Sequence, residues 1–153
     1  MKLLKSTLLI IGILFTSSVL ADKKADVTIN ISGNDTMKFD KTTLDVTEGQ
    51  VVKIVFKNAG TLPKAAMGHN LVVLKPGTDL AKFAGAAISA KDQEYIPQDE
   101  ENKSKIIAHT KVLGPGEEEA IYFTAGAPGA YPFICSFPGH YAIMQGIIKV
   151  KAK

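Results

Sequence analysis

The sequence predicts an all-β domain, a Greek-key β-sandwich or barrel of about eight short strands with one short inserted helix. Three observations lead to this fold class. Apolar and polar residues alternate in short segments along most of the chain. Clusters of glycine, proline and asparagine separate these segments at the intervals typical of sandwiches and barrels. Only one segment has its apolar residues at helical spacing.

The strand segments are short, and turn sequences separate them. In the first, Val27, Ile29 and Ile31 fall on one face of an extended chain, because side chains alternate between the two faces of a strand. Turn sequences such as GND at 33–35 and GPG at 114–116 follow strand segments. The predicted strands are residues 26–31, 43–46, 51–56, 70–74, 105–113, 117–123, 131–135 and 147–150.

The inserted helix is predicted over residues 79–89. This segment is rich in alanine, its apolar residues recur every three or four positions, and Thr78 or Asp79 can cap its first turn. We expect the helix to pack on the outside of the sandwich. Residues 92–103, which are dominated by charged and amide side chains, are predicted to form a solvated loop.

Residues 1–21 have the parts of a secretory signal peptide. A short basic start precedes an apolar run at 8–15, and small residues lead up to Ala21. The apolar run is shorter than the ~20 residues that a membrane-spanning helix needs. We therefore expect cleavage after Ala21, export to the periplasm without membrane insertion, and a single domain over residues 22–153.

Charge argues against two classes of partner. Loss of Lys2 and Lys5 with the signal peptide lowers the formal net charge of the chain from +3 to +1. A chain with so little net charge is not expected to bind nucleic acid or an acidic membrane surface.

The chain has one cysteine, so it cannot form an internal disulfide in an oxidising compartment. Cys135 is therefore a free thiol, a buried small side chain or a metal ligand. Four residues separate it from His140, and three more separate His140 from Met144. If a strand ends near Cys135 and the next begins near Ile147, one loop brings the three side chains together.

A thiolate, an imidazole and a thioether suit copper, for which two histidines and a cysteine with a weak axial methionine form an electron-transfer site. The second histidine has two candidates. His109 shares a strand face with Lys105 and Lys111, which favours a surface position. His69 precedes a strongly apolar strand, and its position favours it only modestly.

Other interpretations compete with a metal site. A single cysteine in a β-domain is most often an inert buried residue, and Met144 or His140 alone would be read as packing or loop residues. Their joint occurrence in one short loop favours a site. A thiol enzyme would need an oxyanion hole, usually at a helix N-terminus, and no helix is predicted to follow Cys135. We predict that the protein is not an enzyme.

Four motifs in the same order resemble those of azurins, bacterial blue (type I) copper proteins of the cupredoxin family. They are GNDTM at 33–37, LPKAAMGHN at 62–70, IAHTK at 107–111 and CSFPGHYAIM at 135–144. The resemblance implies one copper ion per chain, with His69, Cys135 and His140 as equatorial ligands. It also implies Met144 as a distant axial ligand and the backbone carbonyl of Gly68 on the opposite side.

The resemblance further implies a monomeric one-electron carrier that cycles between Cu(I) and Cu(II). Its redox partners would be cytochromes, reductases or dehydrogenases that dock on an apolar patch near His140. The patch residues are Leu62, Met67, Pro138 and Ile143. The alternative function is periplasmic copper buffering or delivery, which the same ligands allow.

This chain departs from the azurin pattern at three places. It lacks the disulfide that usually joins the first and third strands of azurins. Asn58 stands where some azurins have a histidine, and Leu71 replaces a tryptophan found in the core of many members. None of these changes affects the implied ligands, but the missing disulfide predicts a less stable metal-free form.

Overall fold

The computed structural model describes residues 24–153, and the predicted signal peptide, residues 1–21, lies outside them. The described chain contains eight strands, as predicted. They are β1 (Val27–Gly33), β2 (Thr43–Thr47), β3 (Val51–Asn58), β4 (Val72–Leu74), β5 (Ile106–His109), β6 (Glu118–Thr124), β7 (Gly129–Ile134) and β8 (Gln145–Lys151).

The strands form two sheets, which confirms the predicted all-β sandwich. One sheet has the order β1-β3-β6 and the other the order β2-β8-β7-β4-β5. The pairs β1–β3 and β2–β8 are parallel, while the remaining pairs are antiparallel. Parallel neighbours need long connections, and here other strands intervene in the chain: β2 of the other sheet lies between β1 and β3, and five strands lie between β2 and β8.

The main core lies between the two sheets and follows from the period of two along each strand. In β3, Val52, Ile54 and Phe56 are fully buried, while alternate residues face outward. Phe133 from β7 and Leu71 enter the same cluster from the other sheet. Burial of these side chains contributes the hydrophobic free energy that stabilises the packing of the two sheets.

The predicted inserted helix is present as α2 (Leu80–Ile88). The carboxylate of Asp79 accepts a hydrogen bond from the backbone nitrogen of Lys82 (3.0 Å), which caps the first turn. Phe83 packs with Val72 and Ile134 in a second, smaller core on the outer side of the five-stranded sheet. Helix α2 therefore lies outside the sandwich, as expected.

Three further short helical segments were not predicted: α1 (Lys64–Met67), a 3₁₀ turn (Lys91–Gln93) and α3 (Glu100–Lys103). The expectation of a solvated loop over residues 92–103 was wrong in part, because Ile96 and Asn102 are buried. Ile96 belongs to the core beneath α2. Ile96 attaches this otherwise charged segment to the core beneath α2. The composition of residues 92–103 does not reveal that contact.

Candidate metal centre

Strand topology explains how residues distant in sequence meet at one end of the sandwich. Strands β4 and β7 are antiparallel neighbours, with Val72 opposite Ile134. The start of β4 therefore lies beside the end of β7. His69 precedes β4 and pairs through its backbone with Leu113, while Cys135 directly follows β7. This arrangement brings His69 and Cys135 together although 65 residues separate them.

Three donor atoms converge at this end. The Nδ1 atoms of His69 and His140 lie 3.2 Å apart. The sulfur of Cys135 lies 3.6 Å from Nδ1 of His140 and 4.0 Å from Nδ1 of His69. His69 and Cys135 are fully buried and His140 is 3% exposed. Among residues 24–153, these three side chains form the one group of at least three histidine, cysteine or acidic residues placed to hold a metal ion.

The hydrogen bond of His69 determines which of its ring nitrogens is free. Its Nε2 lies 3.0 Å from the backbone oxygen of Asn34. A carbonyl oxygen can only accept, so Nε2 carries the hydrogen and Nδ1 keeps its lone pair. That lone pair points towards Cys135 and His140. The sequence places Asn34 in a turn and in the GNDTM motif, but it does not reveal this contact, because every residue type carries a backbone oxygen.

Burial keeps both imidazoles neutral. Loss of hydration and, to a smaller extent, the nearby His69 lower the pKa of His140 to about 4. Loss of hydration also lowers the pKa of His69, while the Asn34 carbonyl opposes the change. Both rings can therefore offer lone pairs at neutral pH without first releasing a proton.

The thiol responds to burial in the opposite direction. Loss of hydration raises the pKa of Cys135 to about 12, although the backbone N–H groups of Asn70 and Phe137 approach the sulfur and favour the thiolate. Without a cation, Cys135 is therefore an uncharged thiol. This is a poor setting for a nucleophilic cysteine, which needs a lowered pKa.

The loop between β7 and β8 is closed by local hydrogen bonds. His140 donates its backbone N–H to the oxygen of Phe137 (3.0 Å), and Gly139 has φ of +83°. Proline followed by such a glycine is the sequence of a type II turn. The Met144 N–H then bonds the His140 oxygen (2.8 Å), and Cys135 N–H bonds the Met144 oxygen (3.0 Å). These hydrogen bonds fold residues 135–144 into one compact loop and so fix the relative positions of Cys135, His140 and Met144.

Asn70 ties the two segments of the site together. Its Oδ1 accepts from the backbone nitrogen of Ser136 (2.8 Å), and its Nδ2 donates to the Ser136 hydroxyl (2.8 Å). Asn70 also donates to the backbone oxygen of Glu94 (3.1 Å), and Ser136 donates to that of Tyr95 (2.8 Å). The neighbours of His69 and Cys135 are therefore joined by a buried, fully bonded network.

Met144 and Gly68 lie beside the three donors. Met144 is fully buried, and a methyl group added at Gly33 would collide with its terminal carbon and lie 3.4 Å from Cδ2 of His69. Gly33 thus makes room for both side chains. A methyl group at Gly68 would lie 2.5 Å from Val112, so only glycine fits directly before His69.

The donor set fits a single first-row metal ion. With metal–ligand bonds of about 2.0–2.3 Å, three donors at trigonal angles lie roughly 3.5–3.7 Å apart. The separations of 3.2, 3.6 and 4.0 Å bracket this range. Two neutral imidazoles and one thiol, beside a buried methionine, match the chemistry of a copper electron-transfer site.

The third histidine is elsewhere. His109 is exposed in β5, and its Nδ1 lies 3.1 Å from the backbone oxygen of Thr110. The prediction from strand parity that His109 faces the surface is therefore confirmed. Position in the sequence had favoured His69 only modestly, and the pairing of β4 with β7 is what brings it to Cys135.

Comparison with known proteins agrees with this geometry. Residues 25–151 match the model of a family described as copper binding proteins, plastocyanin/azurin family. Azurin-1 of Alcaligenes xylosoxydans xylosoxydans is 35% identical over 82% of this chain and 98% of its own. The azurin of Bordetella pertussis is 35% identical over 89% of each chain. The reduced auracyanin of Roseiflexus castenholzii has a TM-score of 0.73 and 40% identity, covering 84% of this chain and 99% of its own. The chain therefore belongs to the plastocyanin/azurin family of copper-binding proteins, with His69, Cys135 and His140 forming a single site.

Proposed function

We propose that this protein carries single electrons between redox proteins in the periplasm, using one mononuclear blue copper site. The observation that carries the proposal is the cluster of His69, Cys135 and His140, whose donor atoms lie 3.2 to 4.0 Å apart in a buried pocket. Bound copper would supply the one-electron couple between Cu(I) and Cu(II).

The proposed equatorial ligands are Nδ1 of His69, Nδ1 of His140 and the sulfur of Cys135. Met144 is proposed as the weak axial ligand and the backbone oxygen of Gly68 as the opposite one. The burial of Met144 against Gly33, beside the His69 ring, and the burial of Gly68 directly before His69 support these two assignments.

The role of the protein is to fix the positions of the donor atoms. The Asn34 carbonyl orients the ring of His69, and Asn70 links the segment before β4 to Ser136 in the ligand loop. Hydrogen bonds of this kind fix ligand orientation in metal sites. A site that keeps one geometry in both oxidation states needs little rearrangement when an electron moves.

Partners are proposed to dock on the apolar patch formed by Leu62, Met67, Pro138 and Ile143, close to His140. Leu62 is 44% exposed and Ile143 is 54% exposed. Exposed apolar side chains that lie together on a surface mark interaction sites. A small apolar interface of this kind suits brief encounters with other redox proteins. The protein is proposed to act as a monomer and not as an enzyme.

Export is part of the proposal. Residues 1–21 are proposed to be removed as a signal peptide, leaving residues 22–153 as one periplasmic cupredoxin domain. Within residues 24–153, none of the helices has the length and apolar character needed to cross a membrane.

Copper buffering or delivery is the weaker alternative. Delivery favours a site from which copper exchanges easily, so its donors should be reachable by a competing ligand. Here His69 and Cys135 are fully buried and His140 is nearly so. The burial of the donors therefore supports electron carriage over delivery.

The two functions predict different behaviour during turnover. We expect the reduced protein to pass one electron per chain to an oxidised c-type cytochrome while keeping its copper. Stopped-flow absorbance measures the transfer, and metal analysis after gel filtration measures the copper retained. Loss of copper in proportion to the electrons transferred would contradict electron carriage and favour delivery.

Copper uptake is expected to release close to one proton per chain between about pH 5.5 and 8. The proton comes from Cys135, whose pKa is about 12, because a thiol must lose its proton to bind a metal. His140 contributes none in this range, because its pKa is about 4. Calorimetric titration in buffers of different ionisation enthalpy measures the proton count. A Cys135→Ser variant should release none, and release of two or more protons by the parent protein at pH 7 would contradict the neutral imidazoles.

A further inference from the structure

A surface pocket beside the metal centre is not explained by copper binding. It has a volume of about 440 Å³ and lies between α1 and the segment that precedes α3. Its lining combines apolar and aromatic side chains with two lysines and one glutamate. The residues that line it include Lys64, Ala65, Lys91, Glu94, Tyr95 and Phe137.

The aromatic residues of the pocket lead to the metal centre. The ring centroids of Tyr95 and Phe137 lie 5.1 Å apart in an edge-to-face arrangement. Those of Phe137 and His140 lie 4.8 Å apart. A group bound against Tyr95 is therefore two ring contacts from a proposed copper ligand. Electronic coupling falls steeply with distance, so a short chain of packed rings favours electron transfer.

The pocket wall is tied to the ligand segments. Glu94 and Tyr95 both have positive φ values, +56° and +58°, which non-glycine residues rarely adopt. Their backbone oxygens accept hydrogen bonds from Asn70 and Ser136, next to His69 and Cys135. Strained backbone of this kind persists where surrounding contacts hold it, and it is concentrated at functional sites. The wall is thus held rigidly against the metal centre.

Charge at the rim favours an anionic occupant. Lys91 is exposed and takes part in no ion pair among residues 24–153. The charge of Glu94 is shared between the backbone nitrogen of Val112 (2.8 Å) and the ammonium of Lys64 (3.7 Å). The Lys64–Glu94 pair is long and about half exposed, so it is weak and leaves the ammonium of Lys64 accessible to an incoming carboxylate.

We propose that this pocket is a second docking site for electron transfer, which receives a carboxylate-bearing loop of a redox partner. The proposal rests on the proposed function of electron carriage. It differs from docking on the apolar patch, because Lys91 and Lys64 supply electrostatic attraction and Tyr95 and Phe137 provide the route to His140. In such a complex the reduced protein would give one electron to the partner, and bound copper would supply that electron by changing from Cu(I) to Cu(II).

Binding can be tested without any electron transfer. Hexacyanocobaltate(III), a redox-inert trianion, is titrated into the reduced, diamagnetic copper protein while backbone amide signals are followed by NMR at low ionic strength. The largest shifts are expected at Lys91, Tyr95 and Ala65. Lys91→Glu is expected to weaken binding about tenfold, because it reverses a charge close to the trianion.

The matched control is Lys149→Glu, which makes the same change of charge in β8. Lys149 is exposed and lies five residues along an extended strand from Met144, or about 17 Å. We expect it to weaken binding less than threefold. Equal weakening by the two variants, or shifts spread evenly over the surface, would overturn the docking site.

Kinetics then test the route. Oxidation of the reduced protein by ferricyanide is expected to slow about tenfold in Lys91→Glu, while oxidation by tris(phenanthroline)cobalt(III), a cation, should accelerate. Tyr95→Leu should slow ferricyanide oxidation by a larger factor than it weakens hexacyanocobaltate binding. If Ile143→Glu slows ferricyanide more than Lys91→Glu does, the apolar patch is the route and the proposal fails.

The experiments distinguish failure of the docking site from failure of electron carriage. None of the pocket residues is a proposed copper ligand, so the binding titration can be repeated on the chain as purified if copper does not bind. Anion binding at Lys91 without reaction of any variant with ferricyanide would contradict electron carriage alone. Normal ferricyanide oxidation with no binding at Lys91 would contradict the docking site alone.

Discussion

Replacing Cys135 by serine is expected to abolish the intense blue absorption of the copper-loaded protein and to weaken copper binding by more than about 100-fold. The band arises from charge transfer between a thiolate and copper, and a serine hydroxyl cannot supply it. The hydroxyl also stays protonated at neutral pH, so the site loses its charged ligand. Visible absorption and a competitive chelator titration measure the two effects.

His109→Gln provides the matched control. His109 is the one histidine of the chain outside the cluster, and it is exposed in β5. The variant should keep both the band and the affinity. A surviving blue band in Cys135→Ser, with the fold intact by circular dichroism, would refute the site. Loss of the band in His109→Gln would show that the ligand set has been assigned wrongly.

Removing copper is expected to lower the melting temperature by roughly 10–20 °C. A ligand that binds only the folded state stabilises it by about 4 kcal/mol when present at 1,000 times its dissociation constant. For a domain of this size each kcal/mol shifts the melting temperature by several degrees. No disulfide compensates, because Cys135 is the sole cysteine; a disulfide typically contributes ~2–4 kcal/mol. Calorimetry of the copper-loaded and chelator-treated protein measures the difference.

The pH at which the metal-free protein is most stable depends on the pKa values of His140 and Cys135. The folded pKa of His140 is about 4, below its unfolded value, so its contribution to stability is present above about pH 6.5 and is lost as the pH falls towards 4. The folded pKa of Cys135 is about 12, above its unfolded value, so its contribution is present below about pH 8.5 and is lost as the pH rises. The metal-free protein should therefore be most stable near pH 7.5.

Cys135→Ser, measured with and without copper, provides the control for this prediction. Its melting temperature should change by only a few degrees when copper is added, because the charged ligand is missing. A metal-free parent protein that melts at the same temperature as the loaded one would contradict stabilisation by the metal.

Local sequence was enough to predict the eight strands, helix α2 and three of the five proposed site residues. Alternation along β3 and helical spacing in α2 depend on neighbouring residues, and both predictions are confirmed. The turn at Pro138 and Gly139 is also local, since a proline and a glycine with positive φ suffice to make it. Cys135, His140 and Met144 were therefore recognisable together as one unit.

The remaining parts depend on contacts between segments far apart in the chain. His69 reaches Cys135 because β4 pairs with β7, and the sequence near His69 does not specify that partner. The Asn34 oxygen and the bonds from Asn70 and Ser136 to residues 94–95 involve backbone atoms, which every residue type carries. Burial of Ile96 beneath α2 likewise depends on the helix above it. Patterns along the chain report neighbours in sequence. The imidazoles become neutral and the thiol stays protonated only because the tertiary structure removes these groups from water.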